Sequence, residues 1–279
     1  MKQYFEGWYF KHQNKEKTVA IIPGKSMEEA FIHVVTDEEA YFLSYPLDAY
    51  QKGGGELIVG ANTFSESGLS LNIDRPELRL EGAIKYGKLT PIDGDIMGPF
   101  RFFPMECSHG IVSMQHDLVG TMTLNDEVYN FNCGVGYIES DSGTSFPSGY
   151  SWVHCNDFEE ECSIVVAVAR IPFYGLKFWG CICVIHLNGK EYRLATYKGV
   201  RIIKNEPGLI EIKQGKYRVV IQVDSKGGHQ LPAPRRGKMD HTIVEDLSCR
   251  ATFKFTKGNQ VLFEETSEKA SYEYHEGTR

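Results

Sequence analysis

Val184-Ile185-His186-Leu187-Asn188-Gly189-Lys190-Glu191-Tyr192-Arg193-Leu194 decides the fold class of this 279-residue chain. Asn-Gly suits the two positive φ angles of a type I′ turn, whose twist matches that of the flanking strands, so the stretch reads as a β-hairpin. The same two-residue period extends outward from it. Tyr217, Val219, Ile221 and Val223 share one strand face, while Arg218, Gln222 and Asp224 take the other. Ala251, Phe253 and Phe255 alternate with Thr252, Lys254 and Thr256 before Gly258-Asn259 turns the chain into Val261-Leu262-Phe263. Alternation recurs across 18–22, 30–35, 41–45, 56–59, 69–73, 78–84, 111–114 and 121–131. Helical signal is thin; residues 25–30 and 240–248 are each expected to form a short helix. Regular short strands joined by tight turns predict an all-β fold of antiparallel sandwiches or barrels with few short helices.

Composition agrees. The 28 glycines, 15 tyrosines and 16 phenylalanines supply the turn formers and aromatics that many short strands require. A 42% hydrophobic and 24% charged chain is ordinary for a folded protein, which excludes wholesale disorder. Thirty basic against 37 acidic residues, a formal charge of −7, give non-specific nucleic-acid binding no electrostatic support. Gly, Ser and Pro interrupt the alternation at 140–149, which places a domain boundary there, with domains at 1–140 and 141–279. Each half opens on a Trp-bearing strand, Glu6-Gly7-Trp8-Tyr9-Phe10 and Gly149-Tyr150-Ser151-Trp152-Val153, as two copies of one architecture would.

The start, Met1-Lys2-Gln3-Tyr4-Phe5-Glu6, has no apolar leader, and no apolar run approaches the roughly 18–20 residues needed to cross a bilayer. Seven cysteines, an odd number without a framework, read as reduced thiols. Cys181 and Cys183 alternate onto one strand face and read as core packing. The expectation is a soluble, cytoplasmic protein with no transmembrane segment.

Three apparent motifs fail on spacing. Gly24-Lys25-Ser26 mimics the end of a P-loop, but Val19 stands where the first glycine must be. Gly143-Thr144-Ser145-Phe146-Pro147 opens like a nucleophile elbow and closes on proline. Gly53-Gly54-Gly55 lacks the strand–turn–helix setting of dinucleotide binding. Two clusters remain. Glu106, Cys107 and His109, followed by His116, are candidate metal ligands by type. Glu106 and His109 point to opposite faces of a strand, however, so no metal is expected; each His reads either as a hydrogen-bonded strand residue or as part of an acid–base site. Glu139 and Asp141, two residues apart, project to the same side of an extended backbone. Close together in an apolar cavity, one of them would be driven toward its protonated form. On an exposed loop they would only cap turns.

Three stretches stand out together: Phe5-Glu6-Gly7-Trp8-Tyr9-Phe10-Lys11, Phe103-Pro104-Met105-Glu106-Cys107-Ser108-His109-Gly110 with His116, and Gly136-Tyr137-Ile138-Glu139 with Asp141 and Gly143. Tyr150-Ser151-Trp152, Leu231-Pro232-Ala233-Pro234 and Val261-Leu262-Phe263-Glu264 follow them. In this order, over nearly the whole chain, they resemble the tocopherol cyclase family, in particular its bacterial tocopherol-cyclase-like members. The family looks related to carotenoid hydratase-like proteins, and the resemblance implies two lipocalin-like antiparallel β-barrels packed together. One position departs: the family usually reads Asp-Trp-Gly where this chain has Asp141-Ser142-Gly143. The missing aromatic is expected to have lined the cavity.

Tocopherol cyclases close a chromanol ring on a prenylated quinol by protonating an alkene, after which the phenol oxygen bonds to the tertiary carbon. That chemistry needs an acid, a base and a water-poor cavity, and no cofactor or metal. The resemblance implies Asp141 or Glu106 as the acid, with Glu139 next, and His109 or His116 as base or orienting partner. Trp8, Tyr9, Tyr137 and Trp152 are expected to line the cavity. The expected partner is a lipophilic prenylated (quinol or isoprenoid) molecule, collected by transient membrane contact. Two other readings stay open: a non-catalytic carrier of a hydrophobic ligand, and an alkene hydratase with water as the nucleophile.

Overall fold

The computed structural model describes residues 4–277 apart from Tyr174 and the side chain of Phe173. Strands dominate it. The first sheet is built from β1 (Phe5–Gln13), β2 (Thr18–Lys25), β3 (Ala30–Thr36), β4 (Ala40–Tyr45), β5 (Tyr50–Gly53), β6 (Glu56–Val59), β7 (Asn62–Ser65), β8 (Gly68–Arg75), β9 (Leu78–Tyr86), β10 (Cys107–Leu124), β11 (Glu127–Asn130) and β12 (Gly134–Gly143). The second comprises β13 (Tyr150–Cys155), β14 (Cys162–Phe173), β15 (Leu176–Leu187), β16 (Lys190–Ala195), β17 (Arg201–Glu206), β18 (Leu209–Gln214), β19 (Tyr217–Asp224), β20 (His229–Arg235), β21 (Lys238–Lys257) and β22 (Gln260–His275). Short 3₁₀ turns at Leu47–Ala49, Gly98–Phe102 and Thr196–Lys198 are the helical content of the described residues, and no helix among them is long and apolar enough to cross a membrane.

The first sheet runs β4-β3-β2-β1-β12-β10-β9-β8-β7-β6-β5, with β11 pairing β10. Its inner face carries one core cluster to which Ile32 of β3, Phe10 of β1, Leu57 of β6, Phe64 of β7 and Leu118 of β10 all belong. Residues from strands so far apart along the path can share a core only if the sheet curls. Among the described residues the hydrogen-bonded path stays open between β4 and β5, so this is a curled antiparallel sheet with no closed ladder. The second sheet, β16-β15-β14-β13-β22-β21-β19-β18-β17 with β20 on β21, likewise carries one core, and Cys155, Cys162, Cys181, Cys183 and Cys249 lie buried in it. Burial pushes the Cys181 thiol up to about 12, so it packs as an inert small hydrophobe.

By compactness the chain divides into two units. The first comprises Met1–Pro91, His109–Ser145 and Leu231–His241; the second comprises Ile92–Ser108, Phe146–Gln230 and Thr242–Arg279.

The hairpin that set the fold class is present. Asn188 and Gly189 have φ of 50° and 72°, and Ile185 faces Tyr192 across the ladder. The two expected helices are absent. Residues 26–29 form the β2–β3 turn, where the Ser26 hydroxyl accepts the backbone N–H groups of Glu28 and Glu29, each at 3.2 Å. This is the local bond by which Ser competes with helix formation. Residues 240–248 lie inside β21, with Ile243, Glu245, Leu247 and Cys249 buried in alternation. A carboxylate at a buried position, Glu245, masks that period in the sequence.

Three histidines are sealed in the first unit as neutral bases. Burial, with the charge of His116 as a second cause, lowers His12 to about 3; burial lowers His33 to about 3 and His116 to about 4. Each binds a proton in the unfolded chain near pH 6.5 and resists binding one when folded. Stability is therefore unaffected above that pH and declines as pH falls toward 4, by up to about 1.4 kcal/mol per pH unit for each group. Urea midpoints should drop steadily from pH 7 to pH 5, where carboxylates stay largely ionised. His33, edge-on to Phe31 and Phe42, should lose its share of the slope in His33→Phe. A flat profile in the parent chain would contradict the burial assignment.

Candidate active site

The antiparallel ladder between β1 and β12 builds the site. It pairs Phe5 with Gly143 and continues unbroken to Gln13 opposite Val135. Residues directly opposite one another project to the same face. Tyr9 therefore shares a face with Glu139, Gly7 with Asp141, and Lys11 with Tyr137, while Trp8 and Phe10 join Ser140 and Ile138 on the other side. Beside β12, β10 is aligned so that a Cβ at Gly110 would meet the Ser140 hydroxyl at 3.1 Å. Its neighbour His109 thus turns toward Glu139 and Asp141.

The result is a line of polar groups. The Tyr137 hydroxyl donates to Glu139 Oε2 at 2.5 Å. Glu139 Oε2 lies 3.5 Å from His109 Nε2, and His109 Nδ1 lies 3.0 Å from Asp141 Oδ1. Side-chain exposure rises along the line, from 6% at Glu139 through 12% at His109 to 22% at Asp141, so Asp141 is its open end. Burial, reinforced by the neighbouring Glu139 carboxylate, pushes the Tyr137 phenol well above its ordinary range. It therefore stays protonated and serves as a donor. Tyr9 stands edge-on to Tyr137, ring centroids 6.5 Å apart, and Gly7 presents no side chain opposite Asp141. His109, Glu139 and Asp141 also offer ligand atoms within 4.8 Å of one another, a donor set that suits a small divalent cation as well as a proton.

Five of the nine residues expected at the site are gathered here: Asp141, Glu139, His109, Tyr137 and Tyr9. His116 is not among them. It faces the core of the first sheet, where its ring lies 4.6 Å from that of Tyr86 and its Nδ1 sits 3.0 Å from the Ser113 hydroxyl. Gly136 makes room for it, since a Cβ there would come within 2.4 Å of His116 Nε2. Trp8 also faces inward. With Phe10, Leu57 and Phe64 it lines a cleft of about 290 Å³ whose rim carries Lys52. Alternation is the physical reason in both cases, because Trp8 adjoins Tyr9 and His116 lies an odd number of residues beyond His109. Trp152 belongs to the second unit, buried on β13 and stacked on His154. Glu106 belongs to that unit too; half-buried, it has a pKa raised by burial and partly offset by the charge of Lys177.

Ser142, at the departure from the family pattern, pairs with Glu6 and so points away from Asp141. Glu6 is buried and ion-paired to Lys25 at 3.1 Å and Lys52 at 2.9 Å. Burial by itself would raise its pKa, but the hydrogen bonds it receives, from Lys52 first, hold it below the usual value. Sequence reasoning missed Lys11, which is buried on the Tyr137 face. The signal was available: a lysine between Phe10 and His12, in a strand buried on both sides.

Comparison with known proteins agrees with this architecture. The tocopherol cyclase-like family profile matches residues 75–274, well over half of the chain. No curated protein matches it in sequence. Among solved structures, a protein assigned as AttH from Nitrosomonas europaea superposes with a TM-score of 0.56 at 10% identity, covering 97% of this chain and 92% of its own. Kievitone hydratase from Nectria haematococca gives 0.55 at 13% identity, covering 97% and 88%. CghA gives 0.62 at 9% identity, covering 99% and 89%. At such identities the structures speak for a shared fold alone; the family match goes further. The chain belongs to the tocopherol cyclase-like family.

Proposed function

We propose that this chain is an acid–base catalyst that adds an oxygen nucleophile across an alkene of a lipophilic, prenylated substrate, with Asp141 as the acid. The observation that carries the reading is the line of polar groups from Tyr137 through Glu139 and His109 to Asp141, hydrogen-bonded at both ends with a 3.5 Å approach of Glu139 to His109 in the middle, and buried at one end and open at the other. In the proposed step the Asp141 carboxyl gives its proton to the less substituted alkene carbon and leaves a tertiary cation. A phenol oxygen of the same molecule bonds to that cation. The phenol proton then returns to Asp141, directly or by way of His109, so substrate and product are isomers and no electrons are exchanged. Glu139 and Asp141 flank the His109 ring and fix its orientation. With water in place of the phenol, the same steps give hydration.

Purified protein should convert a prenylated quinol to its ring-closed product. Asp141→Asn should lower turnover by about 10²–10⁴-fold, the usual contribution of a positioned proton donor, with an unchanged melting temperature. Glu106→Gln should stay within a few-fold of the parent chain. The reverse pattern would move the acid to Glu106. Chelation with EDTA should leave the rate unaltered; a loss restored by a divalent cation would replace the proton-donor reading with a metal centre at His109, Glu139 and Asp141. Because Ser142 points away from Asp141, Ser142→Trp should leave turnover within about twofold, and a large gain would contradict that placement.

A carrier reading has one observation in its favour: the cleft lined by Trp8, Phe10, Leu57 and Phe64 opens on the face opposite Asp141. A ligand held there would be out of reach of the acid. Under this reading, quinol should quench tryptophan emission and be recovered unchanged.

A further inference from the structure

The second unit carries an exposed apolar patch made by two segments distant in sequence. Phe102 and Phe103, at the end of the 3₁₀ turn Gly98–Phe102, are 75% and 41% exposed; Leu176 and Trp179, at the start of β15, are 75% and 48% exposed. The segments touch through Phe100 and Phe178, whose ring centroids lie 6.1 Å apart; Leu176 shares the Phe178 face of the β14–β15 hairpin and Trp179 projects from the other, so the exposed groups make an apolar tip rather than a flat patch. Exposed side chains this large, clustered rather than scattered singly, mark a surface that meets something other than water.

The charges around the patch identify the partner. Residues 97–105 and 170–179 contain no Asp or Glu, in a chain that has 37 of them, and they contribute Arg101, Arg170 and Lys177. The Arg101 guanidinium lies 4.6 Å from the Phe102 ring centroid, a cation–π contact that holds the charge beside the exposed ring. The nearest acid along the chain is Glu106, whose charge Lys177 faces and whose pKa burial already raises. A locally cationic, Phe/Leu/Trp-rich tip on a protein of net charge −7 is complementary to an anionic bilayer: the rings enter the headgroup region while the cations meet phosphate. A water-soluble protein partner would call for hydrogen-bonding groups among the rings, and the described exposed side chains supply apolar surface and cations instead.

We infer that the apolar tip formed by Phe102, Phe103, Leu176 and Trp179, with Arg101 and Lys177 beside it, docks this protein on the surface of anionic membranes. The inference stands apart from the acid assignment, since vesicle binding is read without turnover. It gives a catalyst or a carrier of bilayer-dissolved molecules the same benefit.

The test is co-sedimentation of the full chain with vesicles of phosphatidylcholine containing phosphatidylglycerol, against vesicles of phosphatidylcholine alone. Binding should be at least fivefold stronger to the anionic vesicles and should weaken with salt. Of the three tryptophans, Trp179 is the exposed one, so emission should shift to the blue on binding, and Trp179→Phe should keep binding while losing the shift. Phe102→Ser combined with Leu176→Ser should reduce binding at least tenfold, and Arg101→Glu with Lys177→Glu should remove the preference for anionic lipid. Unchanged melting temperatures would exclude misfolding as the cause. Equal sedimentation of parent and variants, or no binding by the parent, would overturn the inference. A dimer that the serine variants abolish, without vesicle binding by the parent, would assign the patch to a second copy of the chain instead.

Discussion

The pairing of β1 with β12 is the constraint on which the first unit depends. Nine residues of one strand meet nine of the other without a bulge, so each pair commits two side chains to the same face. One face receives Trp8, Phe10 and Ile138 and continues the curled sheet's core. The other receives Tyr9, Tyr137, Glu139 and Asp141. A slip of one residue would exchange the two sets. It would drive two carboxylates into the apolar core and put Phe10 and Ile138 among the polar groups of the other face, at a cost of many kcal/mol by any scale for burying charge. The register that keeps the core dry is the register that lines up the acids.

Burial then decides how the polar groups behave. Glu139 is nearly inaccessible, and the Tyr137 hydroxyl and the His109 ring compensate for the water it has lost. Leaving such a group short of a partner costs about 1–3 kcal/mol, more when it is charged. The arrangement is therefore interdependent, and its parts are positioned before any ligand arrives. Glu6, on the opposite face, follows the same rule with different partners, two ammonium groups around one buried carboxylate. Proximity in the fold does not make the two clusters one site, because the sheet lies between them.

Much of this was legible in the chain itself. Alternation placed the strands, Asn188-Gly189 placed a turn, and the spacing of Glu139 and Asp141 put both on one side. The alternation that joins those two also separates Trp8 from Tyr9, and His109 from His116. A single cavity holding all of them was therefore more than one uninterrupted strand pairing allows. Where the reading failed outright, a polar residue had been buried: Glu245 concealed the period of β21, and Ser26 made a turn from what looked like a helix start. Long-range partners such as Tyr86 for His116 come from strand order, which no local pattern encodes.

The second sheet packs five reduced cysteines into one hydrophobic interior. While folded, they are shielded from oxidants and held as thiols by burial. Once the unit opens, all five meet solvent together, and oxygen or a passing disulfide can convert them to adducts too polar or too bulky to return to that space. An oxidising environment therefore adds a one-way step to any loss of structure in this half, and its working lifetime there depends on redox surroundings as well as on thermodynamic stability.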